Sequence, residues 1–111
     1  MATQQTTVDY IVDQISGNLN ITTRKMFGEY ALYCDGKVVG LICDETLFIK
    51  VTDAGKEFAG DKYKTGPPYP GAKPWMIVDE DTLEDHRRLS ELVQITYDSL
   101  PEAKVKKKKG N

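Results

Sequence analysis

The sequence predicts an α+β domain in which an antiparallel β-sheet packs with an amphipathic helix from each end of the chain. Three observations predict this fold. Apolar residues recur with helical spacing near the N-terminus and again near the C-terminus, and between them two β-rich runs are separated by Asp35-Gly36. A chain of 111 residues with 40% hydrophobic residues is long enough for one core. We therefore expect a single folded domain.

The first predicted element is a helix over residues 7–19. Its apolar stripe consists of Val8, Ile11, Val12, Ile15 and Leu19. Thr6 or Thr7 is suited to be its N-cap, and Gly17-Asn18 is a plausible end. This stripe needs a partner surface, so we expect the helix to pack on a sheet.

The next predicted element is a β-hairpin formed by residues 29–34 and 37–43. The connecting Asp35-Gly36 suits a type I′ turn, which needs positive φ at both central residues. A two-residue turn pairs Cys34 with Lys37, and then Leu32 with Val39 and Tyr30 with Leu41.

This pairing divides the hairpin into two faces. The face that we expect to be the core carries Tyr30, Leu32, Val39, Leu41 and Cys43. The second face carries Glu29, Ala31, Tyr33, Val38, Gly40 and Ile42. Because the second face is apolar enough to need cover, its residues Tyr33, Val38 and Ile42 are candidates for contact with a protein partner.

A third strand and a short helix are predicted to follow the hairpin. The strand covers Leu47–Val51, and the tight connection Asp44-Glu45 makes it part of an antiparallel meander. Thr52 is suited to cap a helix over residues 54–58, which Gly60 would end.

The last third of the chain contains a loop, a strand and the second amphipathic helix. Residues 60–74 hold four prolines and three glycines, which predicts a loop. Residues 75–78 are short and apolar and are predicted to join the sheet. The final helix is predicted to begin with a capping box at Asp81 and to end before Pro101.

The charge is distributed unevenly along the chain. Residues 104–111 contain five lysines and no acidic residue: Lys104, Lys106, Lys107, Lys108 and Lys109. Residues 1–103 contain ten basic and seventeen acidic residues, a net charge of −7. We therefore expect an acidic domain over residues 1–103 with a flexible cationic tail over residues 104–111.

Several classes of function find little support in the sequence. Cys34 and Cys43 are predicted to lie at opposite ends of the hairpin, too far apart for a disulfide. One histidine, His86, and no CxxC motif leave too few ligands for structural zinc. The acidic run from Asp79 to Asp85 has a sufficient explanation in helix capping. We expect no catalytic site, metal or cofactor.

The location of the protein is predicted from what the sequence lacks. No apolar run approaches the eighteen or so residues of a membrane helix, and the N-terminus has no signal-peptide pattern. We expect a cytoplasmic protein that does not contact membranes.

Residues 24–51, RKMFGEYALYCDGKVVGLICDETLFIKV, resemble the N-terminal domain of the TfoX/Sxy family of bacterial regulators. The matching features include Met26-Phe27-Gly28 after a basic residue, a strand, and the Asp35-Gly36 hairpin, and the resemblance extends over about residues 8–100. It implies an α+β domain without known enzymatic activity. The best-known members regulate DNA-uptake competence together with transcription factors and carry a second, helical domain. This chain ends without such a domain, so we expect a stand-alone type and do not carry competence regulation over intact.

The resemblance and the residues together lead to two functional predictions. The first is a non-enzymatic regulatory module that binds a protein partner or a second copy of itself, with a link to transcriptional regulation. The second is a weak, non-specific nucleic-acid binder that uses the five tail lysines with Arg24 and Lys25. For the opening motif, however, the structural alternative is the preferred interpretation: Met26 and Phe27 anchor the start of a strand in the core and Gly28 allows a bend, whereas Arg24 and Lys25 alone would make a weak anion site.

Overall fold

The computed structural model describes residues 3–15, 19–60 and 63–101, which form a six-stranded antiparallel sheet and four helices. The elements are α1 (Gln5–Gln14), β1 (Ile21–Met26), β2 (Glu29–Cys34), β3 (Lys37–Cys43), β4 (Thr46–Ile49), α2 (Asp53–Ala59), β5 (Lys64–Gly66), β6 (Trp75–Ile77), α3 (Glu80–Glu84) and α4 (His86–Ser99). The strand order is β1-β2-β3-β4-β6-β5, with antiparallel neighbours throughout. The predicted α+β class is confirmed.

Three two-residue turns connect the first four strands into a meander. Phe27-Gly28, Asp35-Gly36 and Asp44-Glu45 all have positive φ at both positions, which is the type I′ geometry. The predicted Asp35-Gly36 hairpin is therefore confirmed. The strand β1 was not predicted, because its residues are mostly exposed and lack an apolar alternation.

The pairing between β2 and β3 differs from the predicted one. Tyr33 pairs with Val38 as expected, but Leu32 then pairs with Gly40, so β3 carries one extra residue, Val39. The predicted pairs Leu32–Val39 and Tyr30–Leu41 are therefore wrong. This β-bulge shifts the register by one residue, and such a shift exchanges the two faces of the strand beyond it.

The bulge changes which residues enter the core. Ile42 is fully buried in the core, so its predicted place on the second face is wrong. Leu41 and Cys43, predicted for the core, lie on the other face. Gly40 has no room for a side chain, because a Cβ there would lie 2.5 Å from the Phe48 carbonyl oxygen.

One face of the sheet packs on the helices and forms the hydrophobic core. The sheet contributes Tyr30, Leu32, Cys34, Val39, Ile42, Leu47, Ile49 and Met76. The helices contribute Val8 and Ile11 from α1 and Leu89, Leu92 and Val93 from α4. The amphipathic helices predicted near the two ends of the chain are therefore confirmed. The predicted extent of the first helix, residues 7–19, is wrong, because α1 ends at Gln14 and Ile15 is already extended. Leu19 packs against the core from beyond the helix, and the predicted end at Gly17-Asn18 lies outside the described residues.

The N-terminus of α1 is capped by a residue from a distant turn. Its N-cap, Gln4, makes no side-chain capping bond. Instead, the Glu45 carboxylate accepts a hydrogen bond from the Gln4 backbone N–H at 2.7 Å and another from the Thr7 hydroxyl. The predicted cap by Thr6 or Thr7 is therefore wrong. A carboxylate here satisfies an N–H that the helix leaves free and also complements the helix dipole.

The C-terminus of α4 is capped in a corresponding way by Lys37, at the start of β3. Its Nζ donates to the carbonyl oxygen of Leu100 at 3.1 Å and lies 3.5 Å from that of Tyr97. The same Nζ lies 4.3 Å from the centre of the Tyr97 ring. A cation at this position complements the negative end of the helix dipole.

The short helix α2 follows the prediction closely. The Thr52 hydroxyl accepts a hydrogen bond from the Gly55 N–H at 3.0 Å, and Gly60 ends the helix with a φ of 85°. The loop predicted over residues 60–74 is only partly correct, since Lys64–Gly66 forms β5 at an edge of the sheet.

The predicted final helix is two helices. Asp79 caps α3 by accepting from the Thr82 N–H at 2.8 Å, and Asp85 caps α4 by accepting from the Arg88 N–H at 3.2 Å. The predicted cap at Asp81 is therefore wrong. Several neighbouring acids could each accept from a helix N-terminus, and the sequence does not show which of them does so.

The contact between Glu45 and α1 predicts an acid-sensitive element of stability. Hydrogen bonds from Thr7 and Gln4 lower the pKa of Glu45 from its usual 4.5. A lowered folded-state pKa means that the carboxylate stabilises the fold above about pH 4.5 and that this contribution is lost as the pH falls towards the lowered value. We expect Glu45→Gln to reduce the melting temperature at neutral pH and to make its fall on acidification shallower.

The measurement is thermal unfolding followed by circular dichroism across this pH range. Glu91→Gln is the matched control, because Glu91 is an exposed acid on α4 that lies away from α1. Identical pH profiles for wild type and Glu45→Gln would contradict the expected role of Glu45.

Candidate functional site

The sheet face opposite the helices carries an open groove, which we call the outer groove. Its volume is about 760 Å³ and its surface is mainly apolar. The floor is formed by side chains of β3: Val38, Leu41 and Cys43. One side is formed by Met26 and Phe27, at the β1–β2 turn, and the other by Pro68, Tyr69 and Trp75.

Phe27 is the most unusual residue of this groove. Its relative exposure is 102%, as high as in an extended chain, and its φ is 51°. Positive φ is uncommon for residues other than glycine, asparagine and aspartate, and for a bulky residue it is strained. Met26 is also exposed, at 38%. The structural alternative in which both residues anchor the strand in the core is therefore wrong for Phe27 and has little support for Met26.

Two charged side chains belong to the outer groove, one on each side. Lys50 Nζ lies 5.9 Å from the centre of the Trp75 ring. Glu29 lies near the β1–β2 turn, where its Oε1 accepts hydrogen bonds from the Asp44 N–H at 3.1 Å and from the Thr3 hydroxyl. The groove thus combines an apolar floor with one base and one acid.

The family model of the TfoX N-terminal domain matches residues 13–100, which include all six strands and the outer groove. The chain belongs to the TfoX N-terminal domain family. It is also similar to the uncharacterized 12.7 kDa protein in the trpE 5′ region of Spirochaeta aurantia. The two are 43% identical over 109 residues, which cover 98% of this chain and 93% of the relative. The predicted resemblance is confirmed over residues 13–100.

The predicted protein-contact residues of this TfoX N-terminal domain are only partly brought together. Tyr33 and Val38 pair across β2 and β3 on the outer face, and both are half-buried. Ile42 is in the core, and Leu41 takes its place in the outer groove. Gly40 was the available signal, because a glycine inside a strand often marks a bulge.

The predicted nucleic-acid contacts are not brought together in the described residues. Arg24 and Lys25 are both exposed on β1, but successive strand residues point to opposite faces. The five tail lysines lie outside the described residues, as does the predicted domain boundary at residue 103.

The two cysteines of the TfoX N-terminal domain are free and buried. Burial is the main cause that raises the pKa of the Cys34 thiol and of the Cys43 thiol. A raised pKa leaves little thiolate near neutral pH, so these thiols are poor nucleophiles. As predicted, Cys34 lies beside the Asp35-Gly36 turn and Cys43 lies at the far end of β3.

The acidic run has a structural role at two of its residues, since Asp79 and Asp85 cap helices. Among the described residues, no group of three or more potential ligands is arranged to hold a metal ion. His86 is exposed at the first position of α4. The described part also contains no helix that is both long and apolar enough to cross a membrane.

A second cavity, of about 300 Å³, lies where α2, β6 and α4 meet. Two of its charged groups, Arg88 and Asp79, already have partners in the fold. Arg88 donates to the Phe58 carbonyl oxygen at 3.2 Å and lies 4.6 Å from the Phe58 ring, and Asp79 caps α3. Structural roles explain these polar groups, so the outer groove is the better candidate for a functional site.

The strain at Phe27 gives a testable prediction. Phe27→Asn creates Asn-Gly, the dipeptide that best suits a type I′ turn, and removes an exposed ring that contributes little to folding. We expect the free energy of unfolding to rise by about 0.5–1 kcal/mol. The measurement is urea unfolding monitored by circular dichroism.

Asp35→Asn is the matched control, because Asp35 occupies the corresponding position of the next hairpin and already suits it. We expect almost no change for this variant. A loss of more than about 1 kcal/mol in Phe27→Asn would show that Phe27 is needed for folding and would contradict our interpretation.

Proposed function

We propose that this TfoX N-terminal domain is a non-enzymatic regulatory module that acts by binding a protein at the outer groove. One observation carries the proposal: a fully exposed phenylalanine, held in a strained backbone conformation, stands at the edge of an apolar groove. Strained residues tend to occur at functional sites, and exposed apolar surface bounded by polar groups is typical of interaction sites.

The energetics of the groove suit a protein ligand. Burying one phenylalanine side chain contributes about 1.5–3 kcal/mol, and aromatic residues are frequent among the residues that dominate binding energy. Leu41 and Val38 offer further apolar area, while Lys50 can orient a bound partner. The fold would lose little if Phe27 were polar, so its exposure is better explained by binding.

A regulatory role rather than catalysis is supported by the chemistry of the described residues. The thiols are buried with raised pKa values, and we found no nucleophile paired with a base. From the family we further propose a role in the bacterial cytoplasm with a link to transcriptional regulation.

The proposal is tested by photo-crosslinking in cells. A photoreactive phenylalanine analogue is placed at position 27, and in a control variant it replaces Tyr10, which is 44% exposed on α1 and outside the outer groove. We expect a discrete protein adduct from position 27 and none of the same mass from position 10.

The adduct should also disappear when Leu41→Asp is combined with the probe at position 27, because a buried charge would disrupt the groove floor. Equal labelling from positions 10 and 27, or labelling that does not depend on the groove floor, would refute the proposal.

A second candidate function, weak and non-specific nucleic-acid binding, is favoured by the five lysines within residues 104–111. Each phosphate that a lysine neutralises releases counterions, so the affinity should fall steeply with salt. On this proposal Arg24 and Lys25 would add little, because they point to opposite faces of β1.

Fluorescence anisotropy with labelled DNA and RNA tests this second candidate. If the tail binds, the full chain should bind at low salt, and a variant that ends at residue 103 should not. Arg24→Ala should reduce the affinity by less than about threefold. Absence of binding by the full chain at low salt would eliminate this function.

A further inference from the structure

We infer that the protein bound at the outer groove is a second copy of this chain, which forms a symmetric dimer with the two outer faces in contact. The inference rests on the proposed function and names the partner. It is carried by the placement of four groove residues, Phe27, Glu29, Lys50 and Trp75, around the central residue Leu41.

The two charges are placed symmetrically about Leu41. Leu41 pairs with Ala31 on one side and with Phe48 on the other. Glu29 precedes Ala31 by two residues, and Lys50 follows Phe48 by two residues. Because β2 and β4 run in the same direction, the acid and the base lie at equal distances from Leu41 and on opposite sides, about 16 Å apart at standard strand spacings.

A two-fold axis makes this arrangement self-complementary. If the axis lies in the interface at Leu41, perpendicular to the line joining the two charges, Glu29 of each copy meets Lys50 of the other. Isologous interfaces repeat every contact twice, so two opposite-charge contacts form and no like charges meet. The hydrogen bonds of Glu29 to Thr3 and Asp44 both use Oε1, so the contact with the second copy is assigned to Oε2.

The same axis brings apolar groups together. Phe27 lies beyond Glu29, close to the line that joins the charges, at the β1–β2 turn. The 180° rotation about the axis places Phe27 of one copy near Trp75 and Tyr69 of the other copy, at the far side of that copy's groove. Aromatic side chains at such separations pack edge-to-face or offset. Each copy thus supplies both the exposed ring and the groove that receives it.

Charge also favours a second copy over other occupants. The charged side chains that line the groove, Glu29 and Lys50, sum to zero, whereas residues 1–103 carry a net charge of −7. Arg24, opposite Ala31 on β1, adds one positive charge at the edge of the same face. The face is therefore close to neutral and of mixed sign, and a two-fold copy supplies the opposite arrangement of Glu29 and Lys50.

The area of the outer face limits how tightly two copies can bind each other. Five strands at about 4.8 Å and six residues at about 3.3 Å give a patch of about 480 Å² per copy, before the side chains at its edges are added. Stable interfaces bury about 800 Å² per partner. We therefore expect a weak, reversible dimer with a dissociation constant on the order of tens of micromolar.

Sedimentation equilibrium of the full chain tests the inference, over concentrations from about tenfold below to about tenfold above that constant. The mass should rise from 12.5 kDa towards twice this value. Phe27→Ser should weaken the dimer at least about tenfold. Tyr10→Ser, which changes an exposed aromatic residue outside the groove, should leave it unchanged.

Charge reversal gives a sharper test of the geometry. Lys50→Glu opposes two carboxylates at both contacts, and Glu29→Lys opposes two ammonium groups, so each variant alone should be monomeric. An equimolar mixture should dimerise again, because the two variants restore an opposite-charge pair at both contacts. Lys25→Glu is the matched control, since Lys25 is exposed on the opposite face of β1 and should not affect the dimer.

Glu29→Lys also removes the contacts of Glu29 with Thr3 and Asp44, so its folding is checked by circular dichroism. If Glu29→Lys does not fold, the inference is tested with Phe27→Ser and Lys50→Glu alone. A monomeric mass at every concentration overturns the inference, and so does a dimer that neither of these two variants weakens.

These outcomes are separable from those of the proposed function. A monomeric chain whose position 27 still forms a groove-dependent adduct with another protein overturns the dimer and leaves the proposed function intact. A specific adduct of twice the chain mass supports both.

Discussion

The β-bulge at Val39 is the constraint on which the rest of this structure depends. Before the bulge, Val38 faces outwards beside Tyr33, and after it Ile42 enters the core beside Leu47. Without the extra residue, Leu41 would be buried and Ile42 would be exposed. Both arrangements are apolar, so hydrophobicity alone does not choose between them. Gly40 decides, because a close approach to the Phe48 carbonyl oxygen is open only to a residue without Cβ.

The bulge also determines what the outer face can offer to a partner. It places Leu41 at the centre of the groove, between the half-buried Val38 and the side chain of Cys43. The Val39 carbonyl oxygen accepts a hydrogen bond from the Lys50 N–H at 2.9 Å, so the bulge remains tied to the neighbouring strand. The core and the candidate site are therefore two consequences of one local irregularity.

The two ends of the helical layer are fixed by charges from the sheet. Glu45 reaches the N-terminus of α1, and Lys37 reaches the C-terminus of α4. Lys37 is the first residue of β3, and Glu45 lies in the turn that joins β3 to β4, so both flank the strand that carries the bulge. Each charge is opposite in sign to the helix end that it meets. The residues at and just beyond the ends of β3 therefore help to position helices that are distant from it in sequence.

Much of this architecture was readable from the sequence, because it depends on local signals. Asp35-Gly36 requires a particular turn, Thr52 and Gly60 bound a helix, and the stripes of α1 and α4 repeat at the helical period. Other features were not readable, among them the register beyond Val39, the cap of α1 by Glu45 and the division between α3 and α4. The first depends on packing across strands and the second on a contact 41 residues apart, while the third is a choice among several equivalent acids.

Phe27 shows why the candidate site was harder to predict than the fold. Sequence patterns identify residues that folding needs, and an apolar residue beside a strand is normally one of them. Phe27 is instead at a turn position that suits asparagine or aspartate, as the corresponding Asp35 illustrates. Folding alone would favour a different residue there. The residue at this turn therefore conflicts with the turn geometry, and such conflicts are expected at functional sites. The mismatch becomes visible only when the turn geometry and the exposure of the ring are known together.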